Sequence, residues 1–166
     1  MTIEIEPEMI AASEKPMIIA GRGAKLSKAR EAIEEMAEAM GALLTTSLQA
    51  KGLFTGNRFA MDISGAYASD FARERFAEAD LVIGLGVGLG AYTTESGYLY
   101  PGAQTVQIDI GPRGLWQGLR TVDLHIRADA KAAAEAVTAA IKRHGASGKR
   151  FRSDEMAALI AADVPD

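Results

Sequence analysis

"PMIIAGRGAKLSKAREAIEEM", Pro16 to Met36, decides the fold. Met17 to Ala20 is a short apolar run with two β-branched residues, which reads as a strand buried on both faces. Gly21 and Gly23 permit a sharp reversal after it. Ile33, Met36, Ala37 and Met40 then recur at i, i+3, i+4 and i+7, which makes one apolar helix face. Ser27 is placed to cap that helix at its start, and Gly41 to end it. Strand, glycine turn and helix form the opening of a parallel unit. Either the turn cradles a phosphate, or it is only the tight corner that a parallel strand needs before its helix.

The same grammar continues in both directions. Upstream, Met1 to Glu6 reads as an extended lead-in and Pro7 to Ser13 as a short helix with proline in its first turn. Downstream, Ala42 to Thr46 is a strand, and the irregular stretch Ser47 to Ala66 holds a short one near Phe59 to Ile63. Asp70 to Ala79 is helical, with Phe71 and Phe76 inward, and Asp80 to Gly86 is a strand entering a second glycine turn. Gly88 to Gly102 is a long loop, a length often associated with function. Thr105 to Ile110 is a strand, Gly111 to Gly114 a turn and Leu124 to Ile126 a last short strand. Asp129 caps the Ala-rich helix Ala130 to His144, and after Gly145 comes an amphipathic piece, Asp154 to Ala162. Strands alternating with helices, without hairpin signals, predict an α/β fold with a parallel sheet covered on both faces. Ligands of such sheets sit at the carboxyl ends of the strands near the topological switch point. Glycines 21, 23, 84, 86 and 88 cluster there.

Composition narrows the function classes. At 166 residues the chain suits one domain, and 48% hydrophobic with 24% charged residues is an ordinary globular balance. A net charge of -4 without any Lys/Arg cluster argues against nucleic acid. The absence of cysteine removes disulfides, thiolate catalysis and Cys-based zinc sites, and fits a cytoplasmic protein. The acidic start "MTIEIEPEM" is unlike a signal peptide, and no apolar run is long enough for a membrane helix.

The chemical candidates are few. A dinucleotide fingerprint needs Gly-x-Gly-x-x-Gly and an acid about 20 residues later. Here Leu26 stands where the third glycine belongs, and Thr45, Thr46 and Ser47 follow the second strand in place of an acid. Ordinary NAD binding is therefore poorly supported. A helix start can still hold a phosphate, and Arg22 adds positive charge. The alternating glycines of "GLGVGLG", Gly84 to Gly90, fit either a close-approaching ligand or a loop needing positive φ. Asp109, at the end of an apolar strand, either accepts from a ribose or caps the turn at Gly111. His125 and His144 have no partner nearby in sequence, and the carboxylates of "REAIEEMAE" read as a solvated helix face. Tyr67, Tyr92, Tyr98 and Trp116 either line a site or belong to core or interface. No nucleophile elbow, His-Glu-x-x-His or P-loop occurs. The residues thus give a nucleotide-binding type of architecture with no catalytic set and no metal ligands.

The order of five segments adds a resemblance. "EKPMIIAGRGA", "LLTTSLQAKGLFTG", "FAEADLVIGLGVGLG", "QTVQIDIGPRGL" and "VDLHIRADAKAAAEAV" together resemble the central domain of thiamine diphosphate (thiamine pyrophosphate, TPP)-dependent enzymes, whose members include acetolactate synthase, benzoylformate decarboxylase, pyruvate oxidase and oxalyl-CoA decarboxylase. The resemblance covers Glu14 to Ile141. It implies a three-layer αβα, Rossmann-like fold of the DHS-like NAD/FAD-binding type, with a six-stranded parallel sheet ordered 3-2-1-4-5-6. It implies a lead-in over residues 1–13, the central domain over 14–144 and a linker over 145–166. In such enzymes this domain lies between a pyrimidine-binding and a diphosphate-binding domain. Thiamine diphosphate binds between those two at a subunit interface, activated by a glutamate of the first and held with Mg2+ by a Gly-Asp-Gly…Asn motif of the other. The resemblance therefore implies a non-catalytic domain that works as part of a homo-oligomeric enzyme. Some members hold FAD or ADP in the central domain, and the matching positions here are Gly21, Arg22, Gly23, Gly65, Gly86 and Asp109. Acetolactate synthases carry Arg-Phe-Asp-Asp-Arg after "LGV", where this chain has Gly88-Leu89-Gly90-Ala91-Tyr92, and "IDID" where it has "IDIG". Those departures imply a vestigial or structural pocket. The alternative is a stand-alone adenine-nucleotide-binding module.

Overall fold

The computed structural model describes residues 7–111, 122–145 and 150–163. Six strands form one sheet: β1 (Pro16–Ala20), β2 (Leu43–Thr46), β3 (Ala60–Ile63), β4 (Leu81–Leu85), β5 (Gln104–Asp109) and β6 (Leu124–Arg127). All pairings are parallel and the order is β3-β2-β1-β4-β5-β6, as the sequence predicts. The register places Ile18 beside Leu44 on one side and Ile83 on the other, so the centre of the sheet is a ladder of aliphatic side chains.

Helices cover both faces. Against one lie α1 (Pro7–Ala12), α2 (Arg22–Leu26), α3 (Arg30–Met40) and α6 (Ala130–His144), sealed by Ile18, Leu44, Ile83 and Val106. Against the other lie α4 (Asp70–Glu78) and α7 (Asp154–Ala162), with Met17, Ile19, Leu43 and Val82 beneath them. Successive residues of β1 thus serve opposite cores, and all five are buried. The apolar face predicted for α3 is fully buried, and Glu31, Glu35 and Glu38 on its other face are exposed. Phe76 is buried as expected, while Phe71 is half-buried under the Arg75 guanidinium, 4.7 Å from its ring.

Caps set most boundaries. Asp129 accepts from the Ala132 N–H at 2.9 Å, and Ser69 and Ser153 do the same for α4 and α7. Gly41 and Gly145 close α3 and α6 in the left-handed conformation. Ser27 corrects one expectation: it stands at the C-terminal end of α2, and α3 begins after Ala29 without a side-chain cap. A second correction concerns 88–102, expected as a loop. It holds α5 (Ala91–Thr94) and a turn of 3-10 helix, Glu95–Gly97, pinned where the Thr94 hydroxyl accepts from the Gly97 N–H and donates to the Gly90 carbonyl. The lead-in 1–6, most of the turn 111–114 and Trp116 lie outside the described residues.

Candidate functional site

The sheet order reverses between β1 and β4, and a cleft of about 520 Å3 opens at that point above the carboxyl ends of the strands. Each neighbouring strand sends one segment to it. The turn after β1 supplies Arg22, that after β2 supplies Ser47 to Gln49, and β3 leads into Ser64 and Tyr67. The fourth wall is Gly86 to Gly90 with Tyr92 and Thr93.

The cleft is polar at its floor and aromatic at its rim. The Ser64 side chain is buried, and its hydroxyl has no hydrogen-bond partner among the described residues. Tyr67 and Tyr92 are 65% and 80% exposed, so both stand at the mouth as aromatic walls and are not core residues. Tyr98 is also exposed, outside the lining. Arg22 makes no ion pair among the described residues and contributes a free positive charge. Among the described residues no carboxylate lines the cleft.

The six positions singled out in the sequence divide into three groups. Arg22 and Gly86 line the cleft. Gly21, Gly23 and Gly65 lie behind it, where each faces backbone: a Cβ on Gly21 would lie 2.5 Å from the Gly86 carbonyl oxygen, one on Gly23 would lie 2.9 Å from the Gly86 Cα, and one on Gly65 would collide with the Tyr92 carbonyl. Asp109 is separate. It ends β5, on the far side of β4, and its Oδ1 accepts from the Ile110 N–H at 2.9 Å. Arg127 lies opposite it on β6.

Sequence reasoning missed Ser47, Gln49, Ser64 and Thr93. The available signal was positional, since each follows a strand end in a parallel sheet. It also left His125 without a partner. In the structure its Nδ1 is 3.0 Å from the Gln107 Oε1, and the Gln107 amide nitrogen donates to the Val87 carbonyl at 3.0 Å. With that nitrogen committed, the glutamine oxygen is the acceptor and Nδ1 carries the proton. The pair ties the edge strand β6 to the wall of the cleft.

Among the described residues no group of three or more His, Asp or Glu side chains could hold a metal ion, and no helix is long and apolar enough to cross a membrane. Comparison with known proteins then places the chain. A family model described as "thiamine pyrophosphate enzyme, central domain" matches residues 7–137. The probable acetolactate synthase large subunit of Methanocaldococcus jannaschii is 30% identical over all of this chain and a quarter of its own length. The acetolactate synthase of Mycobacterium bovis is 29% identical over 92% of this chain and 25% of its own. A 3D-(3,5/4)-trihydroxycyclohexane-1,2-dione hydrolase of Halalkalibacterium halodurans is 30% identical over 78% of this chain and 20% of its own. The chain spans about a quarter of the length of these relatives. It belongs to the family of thiamine pyrophosphate enzyme central domains.

Proposed function

We propose that this chain is the non-catalytic central domain of a thiamine diphosphate-dependent enzyme of the acetolactate synthase or 2-oxo acid decarboxylase kind. The observation that carries the proposal is the match of the whole chain to one quarter of an acetolactate synthase subunit. In this reading the domain spaces a pyrimidine-binding and a diphosphate-binding domain and supplies part of their interface. Those domains would hold thiamine diphosphate with Mg2+ in a cytoplasmic homo-oligomer. Residues 14–144 form the domain proper, 1–13 lead into it, and 145–166 lead out towards the diphosphate-binding domain, with α7 lying on the sheet on the way.

Sequencing the DNA on both sides of the coding region tests this. The flanks should encode a pyrimidine-binding domain with its glutamate and a domain with Gly-Asp-Gly…Asn, in frame or as neighbouring genes. Co-expressed with them, the chain should purify in a complex that retains thiamine diphosphate and Mg2+, whereas alone it retains neither. Flanks that encode no such domains overturn the reading.

A second reading, a stand-alone module for FAD, ADP or another adenine nucleotide, draws on the cleft itself. Its buried Ser64 hydroxyl is unpartnered and its rim carries Arg22 beside two exposed tyrosines. Saturable binding of ADP by the isolated chain would favour it.

A further inference from the structure

We infer that the glycine turns after β1 and β4 are a lock between two loops, and that they do not cradle the diphosphate of FAD or of an adenine nucleotide.

A phosphate-binding turn needs two things: free backbone N–H groups at the start of its helix, and empty space where glycine lacks a side chain. In the turn after β1 the space is filled, and of the N–H groups at the start of α2 only that of Arg22 makes no backbone bond among the described residues. The Gly23 N–H, in the first turn of α2, donates to the Gly86 carbonyl at 2.9 Å. The Ala24 and Lys25 N–H groups both turn back to the Gly21 carbonyl, at 3.1 and 3.3 Å. The Gly21 N–H donates to Leu85 at 3.0 Å as part of the sheet. Four of the turn's donors are thus spent inside the protein, and the single Arg22 N–H that remains is too little for a diphosphate.

The missing side chains are accounted for in the same way. Space for a Cβ on Gly21 is filled by the Gly86 carbonyl and by Val87, whose Cβ lies 2.6 Å from that point. Space on Gly23 is filled by Gly86, and space on Gly86 by the backbone of Gly23 and Ala24. The relation is mutual: each loop lacks side chains where the other loop lies. Gly86 also has φ +60, a conformation that glycine adopts without strain. Gly90 provides the internal contrast. It lines the cleft, its φ of -71 suits any residue, and nothing stands within 4 Å of its absent Cβ.

The other contacts of a bound dinucleotide are missing too. Asp109 accepts from the Ile110 N–H and does not line the cleft. Among the described residues Arg22 is the one cation in the lining. The lock fixes α2 to the wall Gly86 to Gly90, so the cleft is held open by protein contacts alone.

Two measurements on the full chain test this, and neither depends on the central-domain reading. The first is thermal unfolding of Gly21→Ala, Gly23→Ala and Gly90→Ala with no ligand present. Overpacking should lower the midpoint of the first two by about 5–10 °C, and Gly90→Ala should move it by less than about 2 °C. Cradle glycines would behave in the opposite way: all three variants would fold like wild type. The second is a wild-type titration with FAD, ADP, NAD and inorganic pyrophosphate at millimolar concentration. A ligand at a hundredfold excess over its dissociation constant would raise the midpoint by about 5–10 °C. No rise is expected. Gly21→Ala and Gly23→Ala that keep the wild-type midpoint overturn the lock. A rise with FAD, ADP or pyrophosphate that Gly21→Ala abolishes, in a variant still folded at the assay temperature, overturns the exclusion of phosphate.

Discussion

At the amino ends of β1 and β4 side chains tie the protein together, whereas at their carboxyl ends backbone lies directly on backbone. The lower tie is Asp80. Its carboxylate accepts from the Ser13 hydroxyl at 2.5 Å, the Glu14 N–H at 2.7 Å and the Lys15 N–H at 3.1 Å, fastening α1 and β1 to β4. Nearby, Arg150 donates to the Ile10 and Ala11 carbonyls, and Arg152 donates to the Ala42 carbonyl at 2.7 Å. At the upper end the ties are Gly23 to Gly86 and Gly65 against Tyr92 and Thr93. There the side chains that remain, Arg22, Tyr67 and Tyr92, are free to face outward. A side-chain tie fails by losing hydrogen bonds. A glycine contact fails by collision, which is the harsher mode.

Gly65→Ala should be the most damaging single change at the carboxyl ends of the strands. The residue has φ +83, and an added methyl would enter the Tyr92 carbonyl and the Thr93 backbone. Strain and collision together should cost about 3 kcal/mol or more in urea unfolding. A loss under 1 kcal/mol would mean that the segment holding α5 yields freely, and the contrast between the ends would disappear. Asp80→Ala comes next, at about 2–3 kcal/mol, because three donors lose a charged acceptor at once. Asp80→Asn keeps one acceptor oxygen and should recover about half of that. Equal losses for Ala and Asn would show that the charge, and not the number of bonds, makes the tie.

The difference between the ends also explains what could be read from the sequence. Strands were legible because a strand buried on both faces leaves a continuous apolar run, as in "PMIIA" and "DLVIGLG", whereas their order in the sheet came only from the family resemblance. Helix α6 was legible to the residue because Asp129 and Gly145 mark its two ends. Ser27 misled because a serine before an apolar face fits an N-cap, and sequence does not show that α2 has already begun. The five glycines drew attention to the right end of the sheet. Whether a glycine makes room for a ligand or for another loop depends on a residue 63 positions away in Gly86, so no local pattern could decide it. Ser64 carried only its position after a strand end, since the burial of a serine is recognisable only once its surroundings are known.

Arg152 belongs to the side-chain ties at the amino ends of the strands. Burial lowers its pKa to about 10, with Glu38 and Glu34 acting in the opposite direction. One of its guanidinium nitrogens is buried without a partner, although the group stacks 4.6 Å from the Phe59 ring and donates to Ala42. The folded protein therefore releases this proton more easily than the unfolded chain does. Below pH 10 the cost of burying the charge is fully present, and stability from this group rises as pH climbs through 10 towards the ordinary arginine range. Arg152→Met removes both the cost and the hydrogen bond, so at pH 7 the variant should lie within about 1 kcal/mol of wild type. Wild type should then gain on the variant between pH 9 and pH 10.5 in paired urea titrations. A gap independent of pH would show that solvent reaches the guanidinium freely.

Ser64→Ala should have the smallest effect, and its sign carries the information. A buried hydroxyl without a partner is unfavourable in the folded state, so deleting it should leave stability unchanged or raise it by up to about 1 kcal/mol. The alanine methyl fits where the serine Cβ already stands. If the variant is instead destabilised by about 1 kcal/mol, then an ordered water bridges Ser64 to the cleft walls in solution. The cleft floor would then be a hydrated polar site, tied by side chains after all, and the upper end of the sheet would share the logic of Asp80 at the lower one.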